Sequence, residues 1–288
     1  MPKTVAEGFD EFLSRVTPLE SQRAAAALHR DSVETSLRNA LDVQLFRETG
    51  SFGNGTGVRN HCDVDLLVSL KDKPGTSETA LQWVKNALSA SFPRTTVRVS
   101  RTAVVVEFNN GQETWEVIPG FRKSSRRSDA ALYDIPGVST EWLESAPLEH
   151  IAYVNDINGK SGIAGGAKKL ARLAKAWKYF NAVPVSSFYL EMRAAQHMES
   201  QSSFVAVWDG GVLFEHLVLI SLGPMNDPKG ITSRFSAYSS TARGNEAISK
   251  VKTAATRARK ALDASNAGDP ATALHYLDLL FNGHFPAR

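Results

Sequence analysis

Two aspartates and a glycine-rich turn occur together in one stretch, Gly50 to Val68, with the sequence GSFGNGTGVRNHCDVDLLV. Asp63 and Asp65 precede an apolar run, Leu66 to Leu70, that is typical of a buried strand. Residues two apart on a strand share a face, so the two carboxylates should project side by side. Carboxylates this close repel each other, and a divalent metal ion with hard oxygen ligands relieves that repulsion.

Upstream of the aspartates, Gly50 and Ser51 open a turn made of small residues. Such a turn lets backbone N–H groups approach an anion, and the hydroxyl of Ser51 can add a further hydrogen bond. Phosphate on one side and Mg²⁺ on the other describe a nucleoside triphosphate site. The structural alternative is a glycine-rich hairpin with solvated aspartates.

Other phosphate and nucleophile motifs are excluded by single residues. Thr56 follows Gly55 where a Walker A loop needs lysine, and Val58 replaces the third glycine of the dinucleotide fingerprint. Thr49 replaces the first glycine of the hydrolase nucleophile elbow. The remaining arrangement, Gly-Ser, a spacer and Asp-x-Asp, resembles the polymerase-β-like nucleotidyltransferases.

A third carboxylate is expected from the next pair of strands. The pattern predicts a strand over Ala103–Phe108, a hairpin turn at Asn109-Asn110-Gly111, and a returning strand over residues 114–118 that carries Glu116. That strand can lie beside the Asp-x-Asp strand and bring Glu116 to the same metals, as two-metal phosphoryl transfer requires. Glu107 and Glu113 are competing candidates, although Glu113 is close to the turn.

Composition limits the class of protein. The 288 residues carry 33 Lys and Arg against 30 Asp and Glu, so a net charge of +3 gives no general polyanion-binding signature. The single cysteine, Cys62, cannot form an internal disulfide, and it lacks the Cys or His partners of a zinc thiolate site. No apolar run approaches membrane-spanning length. These features predict a cytoplasmic protein that does not enter a membrane.

The coarse pattern predicts an α+β fold in two parts. Residues 1–158 should hold a long N-terminal amphipathic helix and a mixed-sheet nucleotidyltransferase core, and residues 159–288 a helical lobe, with the active-site cleft between them. From Tyr133 the chain is expected to form an irregular connection between lobes. Residues 211–222 are nearly all apolar and predict a helix at the centre of the helical lobe.

Two basic segments are candidates for phosphate contacts. A predicted helix over residues 167–181 has Lys168, Arg172 and Lys175 on one arc, opposite its apolar residues, so these cations could reach into a cleft and hold a triphosphate. The alternative is an outer helix with solvated lysines. The segment Phe121–Asp129 carries Arg122, Lys123, Arg126 and Arg127 and predicts a solvated loop or a basic rim for an acceptor nucleotide.

With these residues placed, the chain resembles the CD-NTase family, bacterial relatives of animal cyclic GMP-AMP synthase and of oligoadenylate synthetase. The resemblance begins in GSFGNGTGVRNHCDVDLLV and continues, in order, through WEVIPGF, YDIPG, EWLESAPLEH, NDINGK, KLARLAKAWKYF, SSFYLEM, NDPKG and LFNGHFP. It covers nearly the whole chain. One departure is Glu116, because many members have aspartate at this position.

The resemblance implies a nucleotidyltransferase that binds ATP, GTP or other nucleoside triphosphates. By position, Asp63, Asp65 and Glu116 would hold two Mg²⁺ ions, for which Mn²⁺ can substitute. The donor triphosphate would contact Gly50 and Ser51 on one side and Lys175 and Ser187 on the other. The product implied is a cyclic di- or trinucleotide second messenger that arms an antiphage effector.

Two other functions stay open at the level of sequence. One is a nucleotidyltransferase that modifies a separate small molecule, protein or RNA end. The other is a catalytically silent nucleotide-binding module, although the complete set of three acids argues against it. A nucleic-acid activator is not expected from the balanced charge, although some relatives are activated by a polyanion.

Overall fold

The computed structural model describes residues 4–61, 63–111, 113–124 and 130–287. Cys62 and two residues of the predicted loop or basic rim, Arg126 and Arg127, lie outside the described residues. The described helices are α1 (Val5–Val16), α2 (Glu20–Ala40), α3 (Gly50–Gly53), α4 (Ser77–Ser91), α5 (Pro147–Asn158), α6 (Gly166–Phe180), α7 (Ser187–Glu199), α8 (Ala206–Leu219), α9 (Thr241–Asn266) and α10 (Pro270–Leu280). The described strands are β1 (Val43–Thr49), β2 (Val64–Leu70), β3 (Thr96–Ser100), β4 (Ala103–Phe108), β5 (Glu113–Lys123), β6 (Leu132–Pro136) and β7 (Trp142–Ser145).

The strands form one mixed sheet, in the order β1-β2-β5-β4-β3, and β6 and β7 extend it from the far end of β5. The pair β2 and β5 is parallel, while the other pairs are antiparallel. This mixed sheet with its helices confirms the predicted α+β fold. The predicted neighbour relation also holds, since the strand that carries Glu116 lies directly beside the Asp-x-Asp strand.

Alternation along β2 decides which face of the sheet carries the acids. Leu66 and Val68 are fully buried and pack in one cluster with side chains of α2 and α4. Trp115 on β5 belongs to the same cluster. Because successive side chains on a strand point to opposite faces, Asp63 and Asp65 lie on the face that these helices leave uncovered. The packing of α2 and α4 therefore fixes the side of the sheet on which chemistry can occur.

A second hydrophobic core unites the helical part of the chain. It contains side chains of α6 to α10, and it also takes up Phe12 of α1 and Val154 of α5. Two helices from residues 1–158 thus contribute to the core of the helical part. The division of the chain at residue 158 stays a prediction.

Three expectations about elements are wrong. Phe121–Lys123 continues β5 and pairs with β6, instead of forming a loop. The connection from Tyr133 is a hairpin of β6 and β7 followed by α5, instead of an irregular segment. The apolar helix predicted over residues 211–222 is α8, Ala206–Leu219, so its predicted bounds are wrong, although Leu213, Phe214 and Leu217 do belong to the core of the helical part.

Within the described residues, no helix is both long and apolar enough to cross a membrane.

Candidate active site

The turn after β1 is built around Gly50. Its backbone has φ +56°, and a Cβ atom at this position would lie 1.8 Å from Oδ2 of Asp65. The backbone N–H of Ser51 donates a hydrogen bond to the Asp65 carboxyl group. Only glycine lets the turn approach β2 this closely. The sequence pair Gly50-Ser51 is therefore in direct contact with the Asp-x-Asp strand.

The three predicted acids meet at the start of β2 and in the middle of β5. The parallel register places Asp65 directly opposite Glu116, and Asp63 stands two residues earlier on the same face. Burial raises the pKa of Asp65 to about 7, and the charges of Glu116 and Asp63 add to the effect. Burial and the charge of Asp63 likewise raise the pKa of Glu116. The three carboxyl groups therefore form one electrostatic cluster.

These side chains fit divalent metal ions in chemistry and charge, since hard cations take oxygen ligands and relieve repulsion between carboxylates. Their rotamers do not form a ligand set. In the part of the chain that the structure describes, no three His, Cys, Asp or Glu side chains are arranged to hold one ion. The backbone thus brings the acids together, and binding of a metal would require the carboxyl groups to rotate toward it.

The competing acids have other partners. Glu113 accepts a hydrogen bond from Nε1 of Trp115 at 2.6 Å and pairs with Nδ1 of His29 at 2.9 Å. Glu107 forms an ion pair with Nη2 of Arg98 at 3.1 Å. Glu116 stands directly opposite Asp65 on the neighbouring strand. These contacts favour Glu116 as the third acid.

A cleft of about 800 Å³ opens beside the acids. Its lining includes Asp63, the exposed ring of His61 and the ring of Tyr179 from α6, and the two rings stack at 4.8 Å with an interplanar angle of 9°. This volume is within the range of small-molecule sites, which is about 300–1,000 Å³. The cleft combines aromatic surfaces with Asp63, one of the three acids, an arrangement that suits a nucleotide.

The cationic arc of α6 faces the turn, not open solvent. Lys175 is 1% exposed, and its Nζ donates to Oγ1 of Thr56 at 2.7 Å and to Oε2 of Glu191 at 2.5 Å. Arg172 donates to the backbone carbonyls of Gly57 and Gly55, at 2.9 and 2.6 Å. Both side chains are therefore bonded to the segment that follows Ser51, and their predicted contact with a triphosphate stays a prediction. The alternative of an outer helix with solvated lysines is wrong for the same residues.

Ser187 contacts Lys178, a residue to which the sequence pattern assigned no role. Nζ of Lys178 donates to Oγ of Ser187 at 2.6 Å, and the hydroxyl of Tyr179 shares a hydrogen bond with the same oxygen at 3.2 Å. Burial, with a smaller effect from the charge of Lys175, lowers the pKa of Lys178 to about 8. The sequence did contain a signal for Lys178, because a residue three positions after Lys175 lies on nearly the same side of a helix.

The sequence of residues 3–158 matches the family model described as "Second Messenger Oligonucleotide or Dinucleotide Synthetase domain". No curated protein is significantly similar in sequence to this chain.

Solved structures are similar over nearly the whole fold. CdnC of E. coli MS115-1, solved with ATP, has a TM-score of 0.76 at 17% identity and covers 97% of this chain and 98% of its own. CdnG of Bradyrhizobium diazoefficiens, solved with GTP, has a TM-score of 0.74 at 12% identity and covers 96% and 98%. DncV, the cyclic AMP-GMP synthase of Vibrio cholerae, has a TM-score of 0.66 at 15% identity and covers 84% and 70%. At these identities the likeness establishes the fold.

Proposed function

The chain belongs to the family of Second Messenger Oligonucleotide or Dinucleotide Synthetase domains, as a nucleotidyltransferase of the CD-NTase type, and from this premise we propose that it makes a cyclic di- or trinucleotide from ATP or other nucleoside triphosphates. The observation that carries the proposal is the register of β2 and β5, in which Asp65 stands opposite Glu116 beside the Gly50–Ser51 turn. The similarity to CdnC and CdnG, solved with ATP and GTP, supports nucleoside triphosphates as substrates.

We propose that Asp63, Asp65 and Glu116 hold two Mg²⁺ ions, or Mn²⁺ in their place. When bound, such ions lower the pKa of an acceptor hydroxyl and stabilise charge on a leaving pyrophosphate. Mutual repulsion among the three acids supports this role, because the charges of Asp63 and Glu116 raise the pKa of Asp65. A dication offsets that repulsion.

The protein's own residues would bind and orient the nucleotides. The donor triphosphate would lie against the backbone N–H groups and hydroxyl of the Gly50–Ser51 turn, with Lys178 and Ser187 on the opposite side, while buried Lys175 would add positive charge from behind the turn. Tyr179 and His61 offer flat rings at the wall of the cleft. An acceptor ribose hydroxyl held in line would attack the α-phosphorus, with pyrophosphate as the leaving group. The same transfer on the linear intermediate closes the ring.

By resemblance to the CD-NTase family, the product would act as a second messenger for an effector in antiphage defence. The proposal does not depend on this role, because synthesis can be measured with the purified protein alone.

The decisive experiment is incubation of the purified protein with all four labelled nucleoside triphosphates and Mg²⁺ or Mn²⁺. We expect release of pyrophosphate and a nuclease-resistant cyclic product, whose mass and linkage identify it. Pyrophosphate release that requires an added acceptor would favour a transferase with another target. Absence of any metal-dependent release would contradict catalysis.

Lys178 should make substrate capture depend on pH. Its pKa of about 8 means that the cation is lost as pH rises through 8, so kcat/KM for the nucleotide should fall above this pH, by up to roughly tenfold per pH unit. Lys178→Arg keeps the charge and should remove the fall. Measuring kcat/KM from pH 6.5 to 9.5 for both proteins tests this, and the same fall in the arginine variant would assign the titration elsewhere.

A further inference from the structure

A buried polar network joins the helical part of the chain to the segment that follows Ser51. Its centre is Glu191 of α7, which is 6% exposed. The carboxylate accepts hydrogen bonds from Oγ1 of Thr56 at 2.5 Å, from Nζ of Lys175 at 2.5 Å, and from Nδ2 of Asn54. We call Asn54, Thr56, Lys175 and Glu191 the loop anchor.

The loop anchor is joined to the phosphate-binding turn through the backbone. The N–H of Thr56 donates to the carbonyl of Ser51 at 2.9 Å, and the N–H of Asn54 donates to the carbonyl of Gly50 at 3.1 Å. Both anchored residues therefore hold the turn directly. A displacement of their side chains would be passed to Gly50 and Ser51 through these backbone hydrogen bonds, and for Thr56 also through its hydroxyl, which lies 3.5 Å from the carbonyl oxygen of Ser51.

Burial makes the loss of any hydrogen-bond partner in this network costly. Thr56 is 0% exposed and Asn54 is 3% exposed, so neither side chain can be in contact with a nucleotide in the cleft. A buried carboxylate and a buried ammonium are each costly without the other, and a buried polar group without a hydrogen-bond partner is costly as well. The Glu191 carboxylate and the Lys175 ammonium therefore depend on each other, whereas Oδ1 of Asn54 has no hydrogen-bond partner among the described residues.

We propose that Glu191 is a positioning residue for nucleotidyl transfer, acting through Thr56 and Asn54 on the Gly50–Ser51 turn and fixing the ammonium group of Lys175 behind it. The inference rests on the proposed function for its kinetic consequence. Glu191 itself does not bind substrate. Its role is to set where the donor phosphates lie relative to the acids of β2 and β5.

The sharpest test changes the loop side of the network. Thr56→Val keeps the side-chain shape and removes the hydroxyl, while Thr56→Ser keeps the hydroxyl. For a positioning role we expect Thr56→Val to lower kcat by about 10–100-fold with a smaller change in nucleotide KM, because misplacement of about 1 Å costs on the order of a hundredfold. Thr56→Ser should restore most of kcat.

A double-mutant cycle links the effect to Glu191. Glu191→Gln and Thr56→Val act on the same hydrogen bond, so the double variant should be hardly slower than the slower single variant. Glu199→Gln is the matched control. It removes a carboxylate of the same helix that pairs with the hydroxyl of Tyr153 at 3.0 Å and is not part of the loop anchor, so kcat should stay at the wild-type value.

Hydrogen exchange tests the anchor without catalysis. In both Thr56→Val and Glu191→Gln, the amides of Asn54 and Thr56 should exchange at least about tenfold faster, while amides in the centre of β2 keep their wild-type rates. Unchanged exchange at these two amides would overturn the inference, whether or not the protein transfers nucleotides. Faster exchange with wild-type kcat in an active protein would also overturn it. Inactivity of the wild-type protein would contradict the proposed function alone.

Discussion

Asp63→Asn is expected to reduce pyrophosphate release from nucleoside triphosphates by about a thousandfold or more, while the protein stays folded. The change removes one negative charge from the three-acid cluster and preserves the size of the side chain. Metal-assisted phosphoryl transfer draws several kcal/mol from charge stabilisation, and each 1.36 kcal/mol is a factor of ten in rate. Release of pyrophosphate at saturating nucleotide is the measurement.

Stability separates this effect from simple damage to the fold. The charge of Asp63 raises the pKa of both Asp65 and Glu116, which means that it destabilises their ionised forms in the folded protein. Removing that charge should leave the melting temperature unchanged or raise it, at a pH where the acids are ionised. A melting temperature that drops together with activity would point to a structural role.

Glu107→Gln is the control for the acidic cluster. Glu107 lies on the neighbouring strand β4, was a candidate third acid, and pairs with Arg98. Its replacement should leave the rate of pyrophosphate release near the wild-type value. Glu116→Gln should instead match Asp63→Asn. If Glu107→Gln is inactive and Glu116→Gln is active, the assignment of the third acid is wrong.

The sequence was sufficient to predict the strand pair that carries the acids. Val64 to Leu70 is a short apolar run next to an alternating hairpin, and both signals are local, so they identify strands without knowledge of the rest of the fold. The sequence predicted that the two strands are neighbours, whereas their parallel direction and the register of Asp65 with Glu116 are seen only in the structure. The identity of the metal-binding acids stays a prediction.

Burial of the α6 cations could not be predicted from the helix alone. The helical period predicts on which side of α6 Lys175 lies. It does not predict the residues that cover this side chain, which are Thr56, 119 positions earlier, and Glu191 on the next helix. Periodicity describes one element and contains no information on what packs against it. Glu191 stands between Leu190 and Met192, and an acid flanked by apolar residues was the available signal, because a buried carboxylate requires a cationic partner.

The extent of β5 was missed for a related reason. Arg122 and Lys123 are exposed on the extended end of the strand, where β6 is the one described strand that pairs with them. Exposed strand ends carry polar residues on both faces and therefore resemble loops in sequence. Hydrogen bonding to a strand about ten residues later decides the conformation of this segment.

Gly50→Ala is expected to lower nucleotidyl transfer by about a hundredfold, because displacement of reacting groups by about 1 Å costs on this order. The new Cβ would stand 1.8 Å from Oδ2 of Asp65, which is far inside contact distance. Either the turn or the Asp65 carboxyl group must move, and each carries a proposed role in the reaction. Steady-state rates of pyrophosphate release, with the melting temperature of the same preparation, measure the effect.

Gly268→Ala is a matched control for backbone strain. Gly268 has φ +72°, close to the +56° of Gly50, and a Cβ there would meet nothing within 4 Å. Both substitutions should destabilise the protein by about 1–2 kcal/mol through the left-handed backbone, whereas only Gly50→Ala should also impair transfer. Combining Gly50→Ala with Asp65→Asn should add little to the loss from Asp65→Asn alone, because both act on one contact. Wild-type activity in Gly50→Ala would mean that the turn and Asp65 do not act together.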